Sequence, residues 1–356
     1  MSNKNRESNL AAQVTPASFH DFSQSKFFFA LSLLSVYIIF VVTTTIPIYN
    51  IVMADFDVTI LGCGSALPTT RHLASSQVID LRDKLYMIDC GEGTQVQMRH
   101  QHIKFSRLNH IFISHLHGDH CFGLPGLVST LGMLGRLGEL VIHGPAAVED
   151  FMRPLLDLFC KGLPFEVRFN PIDPTQHQLV MEDRSLKVYS LPLKHRIPCC
   201  GYLFAEKPKA PHILREMTDF YQVPVAMMPR IKEGADFVTP EGEVIPNSRL
   251  TRPAAPPKRY AYCSDTAFQP SLIPHIEGVD LLYHEATFAE CDAGRAKETF
   301  HSTARQAAQI AKEAQVKRLV IGHYSARYEE LDALKQEADS LFPGTILGYE
   351  GLRLTL

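Results

Sequence analysis

The sequence predicts an α/β fold in which layers of strands and helices surround one core. From Asp57 onward, short β-rich runs alternate with longer stretches of helical character. The chain has 356 residues, of which 46% are hydrophobic and 21% are charged, a composition typical of a globular protein. No internal repeat with a period of about 20 to 50 residues is visible, which argues against a solenoid.

Eight runs have the strand pattern and three stretches have the helical pattern. The strand-like runs are short and β-rich, and turn residues separate them from the helical stretches. We predict strands at 57–61, 77–81, 84–88, 110–113, 140–143, 186–191, 259–263 and 318–322. We predict helices at 124–135, 146–160 and 304–314.

The first 52 residues differ from the rest of the chain. Residues 27–42 form an apolar run that is short for a membrane-spanning helix and lacks a clear cleavage site. Two interpretations stay open: an over-translated upstream region, with the true start at Met53, or a membrane anchor through residues 27–52. We favour Met53, because a strand-like run and a glycine turn follow it directly. A start at Met53 predicts a cytoplasmic protein, whereas the alternative predicts a membrane-anchored one.

Residues 205–258 have a different texture and are rich in Pro, Lys and Arg. We interpret the part at about 205–250 as an arm inserted into the main body. The predicted organisation is therefore a leader, 1–52, followed by one domain, 53–356, that carries the arm.

Charge and cysteine content argue against two classes of protein, those that coat nucleic acid and secreted disulfide scaffolds. The formal net charge of −3 argues against a protein that coats nucleic acid non-specifically, so any RNA contact must come from local basic patches. The eight cysteines include no Cys-x-x-Cys pair and no close spacing typical of a secreted scaffold. We expect reduced thiols.

The strongest signal for chemistry is the segment HIFISHLHGDHCFG. A β-rich run ends at Ser114, and four potential metal ligands follow within six residues: His115, His117, Asp119 and His120. Imidazole and carboxylate groups are the ligands expected of zinc and of mixed transition-metal sites. Gly118 permits the tight turn that such a loop requires.

Later parts of the chain offer isolated candidates at the ends of strand-like runs: His195, Asp265 and His323. Each has an ordinary explanation by itself, as a surface histidine, a turn former or a strand cap. Together with the cluster at 115–120 they predict a two-metal site. Asp265 suits a bridge, because a carboxylate directs its two oxygens apart and its charge offsets the repulsion between two cations.

The glycines of DCGEGTQ do not form a phosphate-binding loop. The motif matches neither a P-loop nor GxGxxG, so no nucleotide cofactor is predicted. Asp89 either hydrogen-bonds the metal-ligand loop or belongs to a plain strand-to-helix turn.

Several motifs carry a resemblance to known proteins. HLHGDH, with the later His, Asp and His, resembles the metallo-β-lactamase superfamily. LGCGSALPTTRH, DCGEGTQVQ, AYCSDT, HEATF, FHSTARQAAQIAK and GHYSARY resemble the ribonuclease Z family in particular, over about residues 55–356. The resemblance implies a four-layer αββα sandwich. It also implies two Zn²⁺ per subunit, with Mn²⁺ or another divalent metal as the alternative, and endonucleolytic removal of tRNA 3′ trailers.

The resemblance also implies roles for individual residues. His115, His117 and His195 would hold one metal, Asp119, His120 and His323 the other, and Asp265 would bridge them. Asp119 would accept a proton from the attacking water. For protonation of the leaving oxygen our candidate is His301, with Glu285 as its carboxylate partner. We interpret Ser302 and Thr303 as the cap of the following helix.

The arm corresponds to the family's tRNA-binding arm, and the resemblance implies a homodimer in which each arm serves the partner's active site. Phosphate contacts are expected from cations of the arm and of the loop after the first strand. These are Arg71, Lys207, Lys209, Arg215, Arg230 and Lys232. Two departures stand out: VPVAMMPRIKEG replaces a Gly-Pro-rich tip, and Arg71 remains where a family Lys is expected.

Three functions compete. The first is a zinc-dependent endoribonuclease that processes the 3′ end of precursor tRNA. The second keeps the fold but hydrolyses a small ester or phosphodiester, which would need neither the arm nor the HEATF and HST motifs. The third is a membrane-tethered binding protein with structural metals. Seven ligands shared by two ions argue against the third, because they leave open positions for water.

Overall fold

The computed structural model describes residues 56–82 and 84–356. Residues 1–52, and with them both interpretations of that segment, lie outside this part. Within it, no helix is long and apolar enough to cross a membrane. All eight cysteines lie within the described residues and are free thiols, as their spacing predicts.

Two mixed sheets of seven strands each form the centre of the fold. The spatial order in the first sheet is Arg353–Thr355, Phe56–Gly62, Ser76–Leu81, Lys84–Ile88, Leu108–Phe112, Leu140–Pro145 and Val167–Ile172. The order in the second sheet is Ile346–Leu347, Leu319–Gly322, Leu281–Glu285, Arg259–Cys263, Cys200–Glu206, Leu186–Pro192 and Leu179–Glu182. Three short pairs complete the described strands: Gly64–Ser65 with Tyr324–Ser325, His212–Ile213 with Thr251–Arg252, and Phe237–Val238 with Val244–Ile245.

The eight predicted strands are all present, with ends displaced by at most two residues. Their apolar runs are nearly continuous rather than alternating, because these central strands are covered on both faces. Every residue of Leu140–Pro145, for example, is buried.

The first strand of the domain pairs with the last one. Asp57 lies opposite Thr355 and Thr59 opposite Arg353 in an antiparallel ladder. The Asp57 carboxylate accepts hydrogen bonds from the Arg353 guanidinium and from Thr355 Oγ1. Since Phe56–Gly62 also pairs with Ser76–Leu81, neither of its edges is left open.

Helices cover the outer faces of both sheets. Thr94–His100 and Ala147–Phe159 contact the first sheet, and Ala304–Glu313 contacts the second. The other described helices are Gly118–Cys121, Leu124–Met133, Arg215–Phe220, Met228–Lys232, Asn247–Leu250, Ile273–Ile276, Ala293–Thr299 and Asp332–Asp339, with single 3-10 turns at Phe105–Arg107, Val225–Met227, Pro270–Leu272 and Glu290–Asp292. One apolar cluster joins the inner faces of the two sheets, and a second lies between the first sheet and its helices. The predicted α/β layers are therefore confirmed.

The segment between Cys200–Glu206 and Arg259–Cys263 packs on its own small apolar cluster. The cluster consists of Val223, Ile231, Phe237, Ile245 and Leu250. The two ends of this segment meet, because the backbone N–H of Glu206 donates to the Lys258 carbonyl at 2.8 Å. We call residues 207–257 the arm.

Candidate metal centre

Asp89 fixes the loop that leaves the strand Leu108–Phe112. This fully buried carboxylate accepts hydrogen bonds from the backbone N–H of Ser114 at 2.8 Å and from its hydroxyl at 2.9 Å. It also accepts from His120 Nδ1 at 2.8 Å and from the Tyr262 hydroxyl at 2.8 Å. Of the two interpretations that the sequence left open for Asp89, the hydrogen bond to this loop is confirmed, and it orients the His120 ring toward His323.

Four side chains converge in the first half of the centre: His115, His117, His195 and Asp265. His117 Nδ1 lies 3.0 Å from His115 Nε2 and 3.2 Å from His195 Nε2. Asp265 Oδ2 lies 3.5 Å from His115 Nε2 and 3.7 Å from His195 Nε2. The three imidazoles come from two distant loops, and the fold brings their nitrogens to one point.

The second half contains Asp119, His120 and His323. The Nε2 atoms of His120 and His323 are 3.3 Å apart, and each lies 3.5 Å from Asp119 Oδ2. Asp265 contributes its other oxygen here, because Oδ1 lies 3.4 Å from His120 Nε2 and 3.1 Å from His323 Nε2. Asp265 thus faces both halves at once.

These distances fit divalent metal ions. Two nitrogens bound to one tetrahedral zinc at about 2.0–2.1 Å are about 3.3 Å apart. The separations of 3.0–3.3 Å between facing imidazole nitrogens are close to that value. In addition, Asp265 Oδ1 is buried and has no hydrogen-bond partner, although a buried carboxylate oxygen is costly to leave unsatisfied. A cation between these groups would account for the close approach of the imidazole nitrogens and would satisfy the buried oxygen.

The far nitrogen of four of these imidazoles is held by a hydrogen bond, which fixes the direction of the ring. The partners are Ser114 Oγ for His115, Asp89 for His120, the Phe300 carbonyl for His195 and Thr287 Oγ1 for His323, all within 2.8–2.9 Å.

Burial and neighbouring charges set the protonation states. Burial lowers the pKa of His115 to about 4, which favours the neutral imidazole that binds metals. Burial opposes ionisation of Asp119, but His120 and His323 outweigh it and hold the pKa of Asp119 well below its usual range. Both groups are therefore in their metal-binding form at neutral pH.

Glu285 and His301 form a buried pair beside the centre. Glu285 ends the strand Leu281–Glu285, and its Oε1 accepts from His301 Nδ1 at 2.9 Å. Burial opposes protonation of His301, but the Glu285 carboxylate outweighs it and raises the pKa of His301 to about 9. Thr303 caps the next helix through a capping box with Gln306, as predicted. Ser302 instead donates its hydroxyl to the Thr266 carbonyl.

A cleft of about 800 Å³ opens over the centre, and Asp119, His195 and His301 are on its wall. Three arginines that the sequence reasoning missed also line it: Arg196, Arg295 and Arg327. Arg327 lies over the Phe288 ring, 5.3 Å from its centroid. The sequence could have indicated two of these arginines by their positions near candidate ligands. Arg196 directly follows His195, and Arg327 lies four residues after His323.

The cations expected to bind RNA fall into two groups. Lys207 and Lys209 lie at the root of the arm in ion pairs with Glu182, at 2.5 Å, and with Glu206, at 3.3 Å. Arg71, Arg215, Arg230 and Lys232 are exposed, the last three of them on the arm. The two lysines therefore contribute to the arm's attachment. Arg215 is paired with Asp219 at 3.1 Å, so Arg71, Arg230 and Lys232 are the exposed cations most available to a phosphate.

Two family models match parts of the chain. Residues 56–136 match the model described as the anti-Pycsar protein Apyc1, and residues 249–324 match that of a beta-lactamase superfamily domain. Relatives match over a longer stretch. A ribonuclease Z of Parabacteroides distasonis is 83% identical over 304 residues, which are 85% of this chain and 100% of the relative. The chain belongs to the ribonuclease Z family. A ribonuclease Z of Bacteroides fragilis is 62% identical over the same shares of both chains.

Solved structures agree with membership of the ribonuclease Z family. The human tRNase Z, short form, superposes with a TM-score of 0.61 at 28% identity and covers 84% of this chain and 98% of its own. The metallo-beta-lactamase fold protein YhfI from Bacillus subtilis has a TM-score of 0.59 at 20% identity and covers 84% of this chain and 98% of its own. The metallo-β-lactamase fold expected from the sequence is confirmed.

Proposed function

We propose that this chain cuts precursor tRNA endonucleolytically, leaving a 3′-hydroxyl on the tRNA and a 5′-phosphate on the released trailer. Its place in the ribonuclease Z family, and the likeness to human tRNase Z, support this substrate. The observation that carries the proposal is the pair of donor groups that share Asp265, because two adjacent cations suit in-line displacement at a phosphodiester.

The metals proposed are two zinc ions, with manganese as the alternative. His115, His117 and His195 would hold one, Asp119, His120 and His323 the other, and Asp265 both. Nitrogen and carboxylate donors favour zinc over calcium or magnesium. When bound, divalent cations polarise a phosphoryl oxygen and bring the pKa of water close to neutrality.

Asp119 orients the attacking water and accepts its proton. Its Oδ2 accepts a hydrogen bond from the backbone N–H of Ala66 at 2.7 Å, which fixes the carboxylate at the cleft wall. Because the Ala66 donor belongs to the main chain, Asp119 keeps its direction without help from a flexible side chain.

His301 supplies the proton that the leaving 3′ oxygen needs. It lines the cleft, and its donor atom lies within 4.8 Å of donor atoms of Asp265 and His323. Glu285 is the positioning residue, because its buried carboxylate keeps His301 protonated at neutral pH. Arg196 and Arg295 offer charge to the phosphates on either side of the cut, whereas Arg327 on the same wall is paired with Asp292 at 3.2 Å.

The proposed assembly is a cytoplasmic homodimer in which the arm of one subunit reaches the substrate of the other. Several large apolar side chains at and beside the two ends of the helix Leu124–Met133 are exposed, which supports a protein contact there. They are Phe122, Met133, Leu134 and Leu137. Arg230 and Lys232 on the exposed arm suit the backbone of a folded RNA.

The test is to incubate the full chain, with zinc or manganese, with a 3′-extended precursor tRNA and separately with a bis-aryl phosphodiester. We expect one cut at the base of the acceptor stem, abolished by a chelator and by Asp119→Ala. The exposed His100→Ala serves as the control variant and should cut normally. Turnover of the small ester with the RNA left intact would instead identify a small-molecule hydrolase.

A further inference from the structure

Cys63, His72 and Glu350 meet behind the wall of the cleft. Cys63 Sγ lies 3.6 Å from His72 Nδ1 and 3.7 Å from Glu350 Oε1, and His72 Nδ1 lies 3.2 Å from Glu350 Oε2. The three donor atoms lie within 4.8 Å of one another, and the group shares no residue with the His and Asp centre.

The three side chains are close enough together to share one zinc ion. With Zn–S of about 2.3 Å and Zn–N or Zn–O of about 2.0–2.2 Å, the sulfur lies about 3.6 Å from each lighter donor, and those two are about 3.4 Å apart. The observed separation between Cys63 Sγ and His72 Nδ1 is 3.6 Å, as for such an edge. Glu350 faces the sulfur with Oε1 at 3.7 Å and the imidazole with Oε2 at 3.2 Å, so its carboxylate would turn one oxygen toward the ion. A thiolate, an imidazole and a carboxylate together favour zinc or cobalt over a hard cation such as magnesium.

The group is buried but can be reached from solvent. Cys63 is fully buried, whereas the His72 and Glu350 side chains are 19% and 15% exposed, which leaves a path from solvent. Burial, and then the nearby Glu350 carboxylate, raise the pKa of the Cys63 thiol well above its usual value. An arriving cation displaces the thiol proton to solvent and balances the charge of two adjacent anions.

We propose that Cys63, His72 and Glu350 form a further zinc site, in which water completes the tetrahedron. The ion would join both ends of the 63–72 loop to the segment before the last strand. That loop carries Ala66, whose N–H holds Asp119, and Ser65, Ala66, Leu67 and Pro68 line the cleft. The zinc would therefore stabilise the cleft wall and would not take part in catalysis.

Cobalt binding tests the site without any RNA. The full chain is stripped of metal with a chelator and titrated with Co²⁺, and the near-ultraviolet thiolate-to-cobalt charge-transfer band is followed. The His and Asp centre has no thiolate donor and cannot produce this band. We expect it in the wild type and not in Cys63→Ser. Two matched thiol variants should retain it: Cys291→Ser, which removes an exposed cysteine, and Cys199→Ser, whose thiol lies 3.6 Å from His115 Nδ1.

Absence of the band from the wild type, or its persistence in Cys63→Ser, would overturn the proposal. If Cys63→Ser does not fold by circular dichroism, His72→Asn decides, because it keeps the thiol and removes one donor. The expected result is cobalt binding at the thiolate weaker by more than about tenfold. Unchanged binding in a folded His72→Asn would equally reject the site.

Discussion

Asp265 shows how much a single residue does in this centre. Its two oxygens face different sets of imidazoles, and one of them is buried without a hydrogen bond. An amide at this position would place an N–H₂ group against imidazole nitrogens, and a shorter side chain would leave the two halves unconnected. A carboxylate at this position therefore lets one side chain face both halves of the centre.

Asp119→Ala and His301→Ala should separate metal binding from proton transfer. Both should retain the fold and reduce cleavage by roughly 10²–10⁴-fold, the range of general acid–base catalysis. Asp119→Ala should also lose metal, whereas His301→Ala should keep it. Single-turnover cleavage and metal content per chain measure the two effects. Cleavage by His301→Ala at the wild-type rate would show that another group protonates the leaving oxygen.

Asp89→Asn should weaken metal binding from outside the ligand set. The buried Asp89 carboxylate accepts four hydrogen bonds, among them one from His120 Nδ1. The isosteric amide keeps the size but offers one acceptor oxygen, so His120 loses its orientation. We expect zinc affinity to fall by about 10–100-fold with the fold retained. Equal zinc affinity in Asp89→Asn and the wild type would contradict this role.

At the residue scale, the sequence predicted the side chains whose chemistry is visible in a motif. The proposed metal ligands and His301 are distinctive residue types within motifs, and the structure brings them together. Arg295 and Arg327 were missed because an arginine side chain by itself does not indicate a functional position. Only the fold places these two on a cleft wall. Lys207 and Lys209 have equally basic side chains, yet their nearest partners are carboxylates.

Among the elements, the helix Ala304–Glu313 holds His301 in place through its N-terminus. Thr303 Oγ1 accepts from the Gln306 N–H, and the Gln306 side chain accepts from the Thr303 N–H. Thr303→Ala should therefore lower the free energy of unfolding by about 1 kcal/mol. Urea denaturation measures it, with the exposed Arg305→Ala in the same helix as a control. A loss no larger than that of the control would mean that packing alone fixes this helix end.

The hairpin between Leu179–Glu182 and Leu186–Pro192 should make stability depend on pH. Asp183 in its turn accepts from Lys84 Nζ at 2.6 Å and from the Tyr86 hydroxyl at 2.7 Å, both on the first sheet. Burial opposes ionisation, but Lys84 and Tyr86 outweigh it and lower the pKa of Asp183 to about 2.

Because the folded pKa is depressed, Asp183 contributes stability above the unfolded value of about 3.9. That contribution is lost as the pH falls through about 2. Urea denaturation of metal-free wild type and Asp183→Asn should give different stabilities at pH about 5 and converging ones toward pH about 2. A constant difference over this range would contradict the linkage.

The predicted elements have clear signals in their neighbouring sequence, whereas the missed ones do not. Arg259–Cys263 was predicted to the residue because its apolar run has turn residues on both sides. Leu281–Glu285 was missed although it is fully buried and supplies Glu285, because its short run merges into HEATF. The order of strands in the two sheets has no local signature at all, since it depends on long-range packing.

For the whole molecule, the arm should be needed for RNA and dispensable for chemistry. Its ends are hydrogen-bonded neighbours at Glu206 and Lys258, so a short glycine linker can replace residues 207–257. We expect the shortened protein to lose tRNA cleavage and to keep any activity on a bis-aryl phosphodiester. Arg230→Ala with Lys232→Ala is the milder variant and should mainly raise KM. Full tRNA cleavage by the shortened protein would indicate that the cleft recognises the substrate and that the arm does not.

The pairing of the first strand with the last one has a consequence for synthesis on the ribosome. Thr355 follows Asp57 after 298 residues, so at roughly 5–20 residues per second the first strand waits about 15 to 60 s for its partner. His323 and Glu350 also emerge late. A nascent chain therefore holds an unfinished sheet and an unfinished centre until residues 353–355 have emerged. Chains stalled before Arg353 should therefore cut no RNA. The enzyme would then be inactive for as long as it is being synthesised beside other RNA.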